Sequence, residues 1–342
     1  MSYFKKIPVV FAALGAAAFL AGCGGDGADS ESDQPKEEKV SLSVGTTNTS
    51  SSLYAYYSGL NKALSEYAPE VSLTILETGA TIDNITRLER GQIDMGLAVM
   101  DGAYEAYEGS GKWEDDPQKN LRTLYVYTEN ALYYVVTQDS GVTEFSDFDG
   151  QKYNLGIRGS TTENQTTDIF ALLDIDVSPH TGDVSDAANA VKDGDIIGLT
   201  KTGVGTSPDA TIMDLETSKD LHLLGYSEEE VEKIQETFPW LRTTTIPADI
   251  YDWQETDVTT LAQQVGNIVL SDLPEEVAYK ITKAAFEGKN YQEEAYSSIK
   301  DLDFVELTLD SPIPLHAGTV RYLEEIGIDV PSELIPEEYK KD

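Results

Sequence analysis

The hydrophobic pattern between residues 40 and 100 changes period several times. Residues 40–44 alternate apolar and serine side chains, which is the period of a strand. Segments with helical spacing of apolar residues then alternate with short apolar runs. This alternation predicts helices at 53–68 and 82–90 and strands at 71–76 and 95–99. This β-α-β-α-β order indicates a mostly parallel sheet with helices on its faces.

A similar order returns later in the chain. It predicts strands at 132–136, 153–157, 196–199 and 265–270, and helices at 163–173, 187–191 and 273–287. A chain of 342 residues is long for one compact core and suits two lobes. We therefore predict an α/β fold with residues 40–134 and 266–342 in lobe I and residues 135–265 in lobe II.

Polar loops follow the predicted strands. One loop spans residues 46–52, and another, from Arg158 to Thr162, leads into the helix at 163–173. Ligands of α/β sheets bind in such loops, at the carboxyl ends of the strands. Helix N-termini carry partial positive charge and free N–H groups, so they receive carboxylates well. The sequence therefore predicts a cleft for a small, anionic molecule.

The N-terminus has the pattern of an export signal. Lys5 and Lys6 precede an apolar stretch at 7–20, which is shorter than the ~20 residues that span a bilayer. Cys23, the only cysteine, follows Leu-Ala-Gly, which resembles the bacterial lipobox. We expect a signal peptide at 1–22, lipid attachment at Cys23 and a flexible acidic tether at 23–39. The alternative is a stray cysteine inside a signal peptide.

Charge and composition exclude several classes of function. The formal net charge is −37, which leaves few basic residues to build the face that nucleic acid requires. Acidic runs such as Glu228-Glu229-Glu230 lack the spacing of a calcium loop and are typical of a solvated surface. The three histidines form no zinc pattern with the cysteine, and no nucleophile elbow or Walker loop appears. We expect no metal, no cofactor and no enzymatic activity.

Several motifs, in order along residues 40–325, carry a family resemblance. They are Gly45-Thr-Thr-Asn-Thr-Ser-Ser-Ser-Leu-Tyr54, Thr78-Gly-Ala-Thr-Ile-Asp-Asn84, Gly91-Gln-Ile-Asp94, Phe148-Asp-Gly-Gln-Lys152, Gly156-Ile-Arg-Gly-Ser160, Asp193-Gly-Asp195, Ile246-Pro-Ala248 and Ile313-Pro-Leu-His-Ala-Gly318. Together they resemble the TAXI family, the solute receptors of one class of TRAP transporters. The chain departs from the family at Ser50 and Ser51, where paired glycines are usual, and at Arg158.

The resemblance implies a two-lobed type II periplasmic-binding-protein fold with a hinged cleft. It implies an extracytoplasmic receptor, lipid-anchored to the membrane, that delivers a small organic acid such as glutamate or another dicarboxylate to a TRAP-type permease. The alternative is a ligand sensor of the same fold that feeds a signalling partner. An enzyme with a similar fold is a third possibility, and no catalytic motif in the sequence supports it.

Twelve residues are candidate ligand contacts, on their positions and on the resemblance. They are Asn48, Thr49, Ser50, Ser51, Tyr54, Thr81, Asn84, Arg158, Ser160, Thr161, Thr162 and Gly203. Each has a structural alternative: the hydroxyl residues can cap helices, and Asn84 can tie down its own loop. Arg158 can pair with a carboxylate ligand or with surface acids, Tyr54 can be core, and Gly203 can be an ordinary turn residue.

Overall fold

The computed structural model describes residues 39–47, 49, 51–204 and 208–340. The expected signal peptide, Cys23 and the tether up to residue 38 lie outside the described residues, as do Asn48 and Ser50. Among the described helices, none combines the length and the apolar composition that crossing a bilayer requires.

The first lobe begins with the predicted alternation of strands and helices. Its elements are β1 (Val40–Gly45), α1 (Ser52–Tyr67), β2 (Val71–Leu76), α2 (Thr81–Glu89), β3 (Met95–Val99) and α3 (Met100–Glu108). β1 pairs in parallel with β2 on one side and with β3 on the other. The carboxyl ends of these strands therefore lie at one edge of the sheet, next to the N-termini of the helices that follow them.

Two long strands run from this lobe into the other. They are β4 (Leu121–Thr137) and β10 (Val258–Leu270), and they pair antiparallel along most of their length. The sheet has the order β2-β1-β3-β10-β4, and the strands of the second lobe pair with β4 or with β10. At about 3.3 Å per residue, β4 extends for roughly 55 Å, which is enough to serve both lobes.

The second lobe lies between the two long strands in sequence. Its elements are β5 (Gln151–Tyr153), α4 (Thr161–Leu172), β6 (Val177–Pro179), α5 (Val184–Asp193), β7 (Gly198–Gly203), α6 (Ala210–Glu216), β8 (Leu221–Leu224), α7 (Glu228–Thr237) and β9 (Arg242–Ile246). β7 and β8 pair with β4, and β9 pairs with β10. The long strands are therefore the shared spine of both lobes.

The C-terminal helices return to the first lobe. They are α8 (Glu275–Glu287), α9 (Lys289–Ala295), α10 (Phe304–Leu309) and α11 (Ala317–Glu325). α1 packs against α8 and α9, and α11 packs against α8. Buried tyrosines on α1 and β4 join these layers, since Tyr56 stacks on Tyr127 with ring centroids 3.9 Å apart.

The apolar cores divide along the two long strands. Leu124, Tyr125 and Tyr127 of β4 pack in a core of the first lobe, whereas residues 131–136 pack in the two cores of the second. On β10 the change falls between Leu261 and Val265. We propose these points as the lobe boundaries, close to the predicted ones at 134/135 and 265/266.

The structure confirms the α/β fold class and corrects several element bounds. The strand predicted at 132–136 is the end of the longer β4, and the one at 265–270 is the end of β10. The prediction at 153–157 is wrong beyond Tyr153, because Asn154 and Ile157 make only isolated bridges. β4 and β10 were predicted too short because both carry polar residues where they pass between the lobes, and these interrupt the apolar pattern.

Candidate ligand-binding cavity

A cavity of about 160 Å³ lies between the lobes, where three helices begin. The first lobe contributes the N-termini of α1 and α2, through Ser51 and Ala80, and the second contributes that of α4, through Ser160. The first N–H groups of any helix have no partner inside it, and together they carry partial positive charge. Three such ends converge on one small space, which favours a negatively charged occupant.

Serine side chains cap two of these helices. Ser51 Oγ accepts a hydrogen bond from the N–H of Leu53 at 3.2 Å at the start of α1. Ser160 Oγ accepts one from the N–H of Glu163 at 3.2 Å at the start of α4. Each cap satisfies one N–H of its helix, so capping and ligand binding are compatible at both ends.

The start of α2 is different, because its N-cap residue is held in a strained conformation. Ala80 has φ 63° and ψ −150°, a region occupied almost only by glycine, and no side chain of the described residues caps the helix. Thr81 Oγ1 instead accepts a hydrogen bond from the N–H of Val99 at 2.9 Å, which fixes α2 against β3. Among the residues that the structure describes, no side chain accepts from the N–H groups of this first turn.

Amide side chains from the crossing strands complete the polar wall. Asn130 of β4 and Gln263 of β10 line the cavity and are 6% and 0% exposed. Thr161 also lines it, and its Oγ1 has no hydrogen-bond partner within the part of the chain that the structure describes, although the residue is only 5% exposed. A buried hydroxyl without a partner suits a site that a ligand fills.

Aliphatic side chains form the rest of the wall. They are Leu53, Ile82, Leu97, Val99, Ile157 and Val265. Within the described part of the chain, all side chains that line the cavity are uncharged. A bound carboxylate would therefore be held by N–H groups, hydroxyls and amides rather than by an ion pair.

The lobes touch closely beside the cavity. A side chain on Gly102 of α3 would place its Cβ 2.8 Å from Thr161 Oγ1 across the cleft. Tyr104 and Trp240 join the lobes with ring centroids 4.6 Å apart, and Arg242 pairs with Asp310 at 3.2 Å. The structure therefore shows the two lobes closed against each other.

Buried acids lie in the same interface. Burial raises the pKa of Asp101 to about 7, while a hydrogen bond from Gln165 of α4 acts in the opposite direction. Burial also raises the pKa of Glu105 to about 7, and the charge of Asp168 on α4 adds to that rise. Both acids belong to α3, so their protonation depends on how closely the lobes pack.

Five of the twelve candidate residues line the cavity: Ser51, Thr81, Ser160, Thr161 and Thr162. Asn84 does not, and its amide is fully buried. Its Nδ2 donates to the carbonyl oxygens of Thr46 and Leu97 at 2.9 and 2.8 Å, and its Oδ1 accepts from Thr78 Oγ1. These bonds join the loops that follow β1 and β2 to strand β3.

The remaining described candidates lie outside the lining. Arg158 and Thr49 are exposed, and Thr49 donates its N–H to Glu77 Oε1 at 3.2 Å. Tyr54 is half-buried on α1. Gly203 is required by packing, since a Cβ there would lie 2.3 Å from Cε2 of Tyr133.

Sequence reasoning missed Asn130 and Gln263. Their signal was present as polar residues in the middle of otherwise apolar strand patterns, but nothing local showed that both strands pass the cleft. Within the described residues, no group of three or more His, Cys, Asp or Glu is placed to hold a metal ion.

The fold and the cavity together define a two-lobed protein of the type II periplasmic-binding-protein fold, as predicted. Among solved structures, XAC2383 from Xanthomonas citri bound to chloride ion is 13% identical with a TM-score of 0.49, over 83% of this chain and 99% of that one. The probable amino-acid ABC transporter extracellular-binding protein ytmK from Bacillus subtilis is 12% identical with a TM-score of 0.48, over 78% and 98%. The model of the NMT1-like family matches residues 44–327, so the chain belongs to that family.

Replacing Ala80 with glycine should stabilise the protein, because glycine adopts the φ and ψ of this position without strain. We expect Ala80→Gly to raise the free energy of unfolding by about 1–2 kcal/mol, the relief of strain less the added entropy of the unfolded chain. Urea denaturation measures the change. The control is Ala188→Gly inside α5, which should lower the free energy of unfolding by about 2 kcal/mol, because it loses helix propensity and a buried methyl group. A loss of stability in Ala80→Gly would contradict the strain.

Replacing Gly102 with alanine should hinder closure, because the new methyl group meets Thr161 from the opposite lobe. The same methyl group would lie 2.9 Å from Thr81 Cγ2 within the first lobe, and this clash opposes the gain of about 1 kcal/mol that alanine brings to a helix. We expect Gly102→Ala to have a larger radius of gyration than the wild type in small-angle X-ray scattering. An unchanged radius would show that Gly102 does not limit closure.

Proposed function

We propose that the protein is an extracytoplasmic receptor that binds a small organic acid, such as glutamate or another dicarboxylate, in the cavity between its lobes. We further propose that it delivers this solute to a TRAP-type permease as a receptor of the TAXI kind, anchored by a lipid on Cys23. The observation that carries the proposal is the meeting of three helix N-termini on one small cavity.

We propose that different walls of the cavity hold different parts of such a solute. A carboxylate fits the N–H groups of α2 and α4, because α2 lacks a side-chain cap and Thr161 has a buried hydroxyl to offer. The carbon chain fits the aliphatic wall, and other polar groups fit Asn130 and Gln263. The solute would then bridge both lobes, which is how a hinged cleft is held closed.

The charge of the whole chain works against an anionic solute at a distance. A formal net charge of −37 repels anions, and salt screens this repulsion over about 10 Å at 0.1 M. The uncharged lining of the cavity provides attraction only at contact. We therefore propose that the receptor binds its solute best in salt, which decides the conditions of the test.

The test is a thermal-shift screen of the whole chain against glutamate, 2-oxoglutarate and other small dicarboxylates at high salt. A solute at 100 times its Kd should add about 2.7 kcal/mol to the free energy of unfolding, which raises Tm. Neutral sugars and the diamine putrescine are the comparison. If the sugars or putrescine raise Tm and none of the acids does, the proposed solute class is wrong.

A variant with an added negative charge tests whether the solute binds in this cavity. Ile82→Asp places a carboxylate in the first turn of α2, where it suits the helix but competes with an anionic solute. We expect it to abolish the acid-induced shift while the protein stays folded. Ala210→Asp adds the same charge at the start of α6, outside the cavity, and should keep the shift. Equal shifts in both variants would place the binding site elsewhere.

A further inference from the structure

A chain of three hydrogen bonds leaves the cavity and ends at a buried carboxyl group. Thr162 Oγ1 donates to Gln263 Oε1 at 3.3 Å, and Gln263 Nε2 donates to Gln165 Oε1 at 2.6 Å. Gln165 Nε2 then donates to Asp101 Oδ2 at 3.2 Å. Gln263, Gln165 and Asp101 are 0%, 5% and 7% exposed, so they depend on one another as partners.

The donor and acceptor roles along these three hydrogen bonds can be reversed, because each glutamine amide has a donor, Nε2, and an acceptor, Oε1. An ionised Asp101 can only accept, so every donor points towards it and the hydrogen of the Thr162 hydroxyl is committed to Gln263. A protonated Asp101 can donate to Gln165. Both amides then turn over, and Gln263 Nε2 donates to Thr162 Oγ1.

When Asp101 is protonated, the hydroxyl group of Thr162 presents a different atom to the cavity. With Gln263 as donor, the hydroxyl hydrogen of Thr162 is released and can point at a carboxylate in the cavity. With Asp101 ionised, the same hydroxyl faces the cavity with its lone pairs, which repel a carboxylate. An anionic solute should therefore bind more tightly when Gln263 donates to Thr162 than when Thr162 donates to Gln263.

We propose that Asp101, outside the cavity, is a positioning residue for the solute: it acts through Gln165 and Gln263, and an anionic solute binds together with one proton. The proposal rests on the proposed function above. Asp101 also lines a second cavity of about 460 Å³ at the far end of the chain of hydrogen bonds. The proton can reach it from there without passing the bound solute.

The charges around Asp101 set the pH range. Burial raises its pKa to about 7, the charge of Glu105 adds to the rise, and Arg242 of β9 opposes it. The other charged groups at this interface are Asp168 of α4, Asp310 beside Arg242, and Glu129 of β4. Because the pKa is raised, the protonated form is present below about pH 7 and is lost above it. The affinity for an anion should therefore be high below about pH 7 and fall above it.

Calorimetric titration of the whole chain with 2-oxoglutarate between about pH 6 and pH 8.5 tests the proposal, since this acid is fully ionised throughout. We expect the Kd to be nearly constant below pH 7 and to rise by up to about tenfold per pH unit above it. Buffers of different ionisation enthalpy should reveal proton uptake on binding near pH 7. A wild-type Kd that does not change with pH would overturn the proposal.

Three variants separate the chain of hydrogen bonds from other sources of pH dependence. Asp101→Asn can donate at every pH, so it should bind with the low-pH affinity throughout. Thr162→Val should lose the pH dependence and bind weakly, whereas Thr162→Ser should keep the dependence. Glu105→Gln removes a neighbouring acid outside the chain of hydrogen bonds and should keep the dependence, with its midpoint at a lower pH because the charge of Glu105 raises the pKa of Asp101.

The outcomes distinguish this proposal from the proposed function. If Thr162→Val retains the pH dependence of the wild type, the coupling does not run through the chain of hydrogen bonds, although the receptor function stands. If 2-oxoglutarate and every other acid of the screen fail to bind at any pH, the proposed function is wrong, and the role of Asp101 falls with it.

Discussion

The pairing of β4 with β10 is the constraint on which the rest of the structure depends. These two strands contribute to the apolar cores of both lobes, so their backbone hydrogen bonds hold the lobes to one spine. Where the spine passes between the lobes, a wholly apolar strand would be left against a polar cleft. The chain places Asn130 and Gln263 there instead, and both are buried only because the neighbouring lobes and side chains supply their surroundings. The same feature that lets the lobes share a spine thus places amides in the cavity.

The cavity is built from backbone as much as from side chains. Parallel strands end at one edge of a sheet, and the helices that follow them begin there, so the N-termini of α1 and α2 lie side by side. The second lobe brings a third N-terminus from across the cleft. This arrangement provides positive potential without a buried cation, whose desolvation would otherwise oppose closure. The strained backbone of Ala80 belongs to the same design, since it sets the start of α2 at the cavity wall.

The acidic composition acts differently at the surface and in the interior. On the surface, excess carboxylates stay hydrated and are screened by salt. Between the lobes, the same groups are removed from water, and their pKa values rise because the charged form loses its hydration. Closure of an acidic protein around a small cavity is therefore coupled to protons wherever carboxyl groups lie in the interface. Asp101 differs from its neighbours because a chain of amides connects it to the cavity.

The sequence by itself determined the α/β class, most of the helices and strands of the first lobe, and the hydroxyl residues at the start of α4. These follow from local periodicity and from the capping preferences of serine and threonine, which depend on neighbours in sequence. Only the tertiary structure decided which polar residues face the cavity. Asn84 and Ser51 are both polar residues near the start of a helix, yet Asn84 holds the loop after β1 against strand β3, whereas Ser51 lines the cavity. Asn130, Gln263 and Asp101 are far apart in sequence, and their roles arise from contacts between elements that only the closed fold brings together.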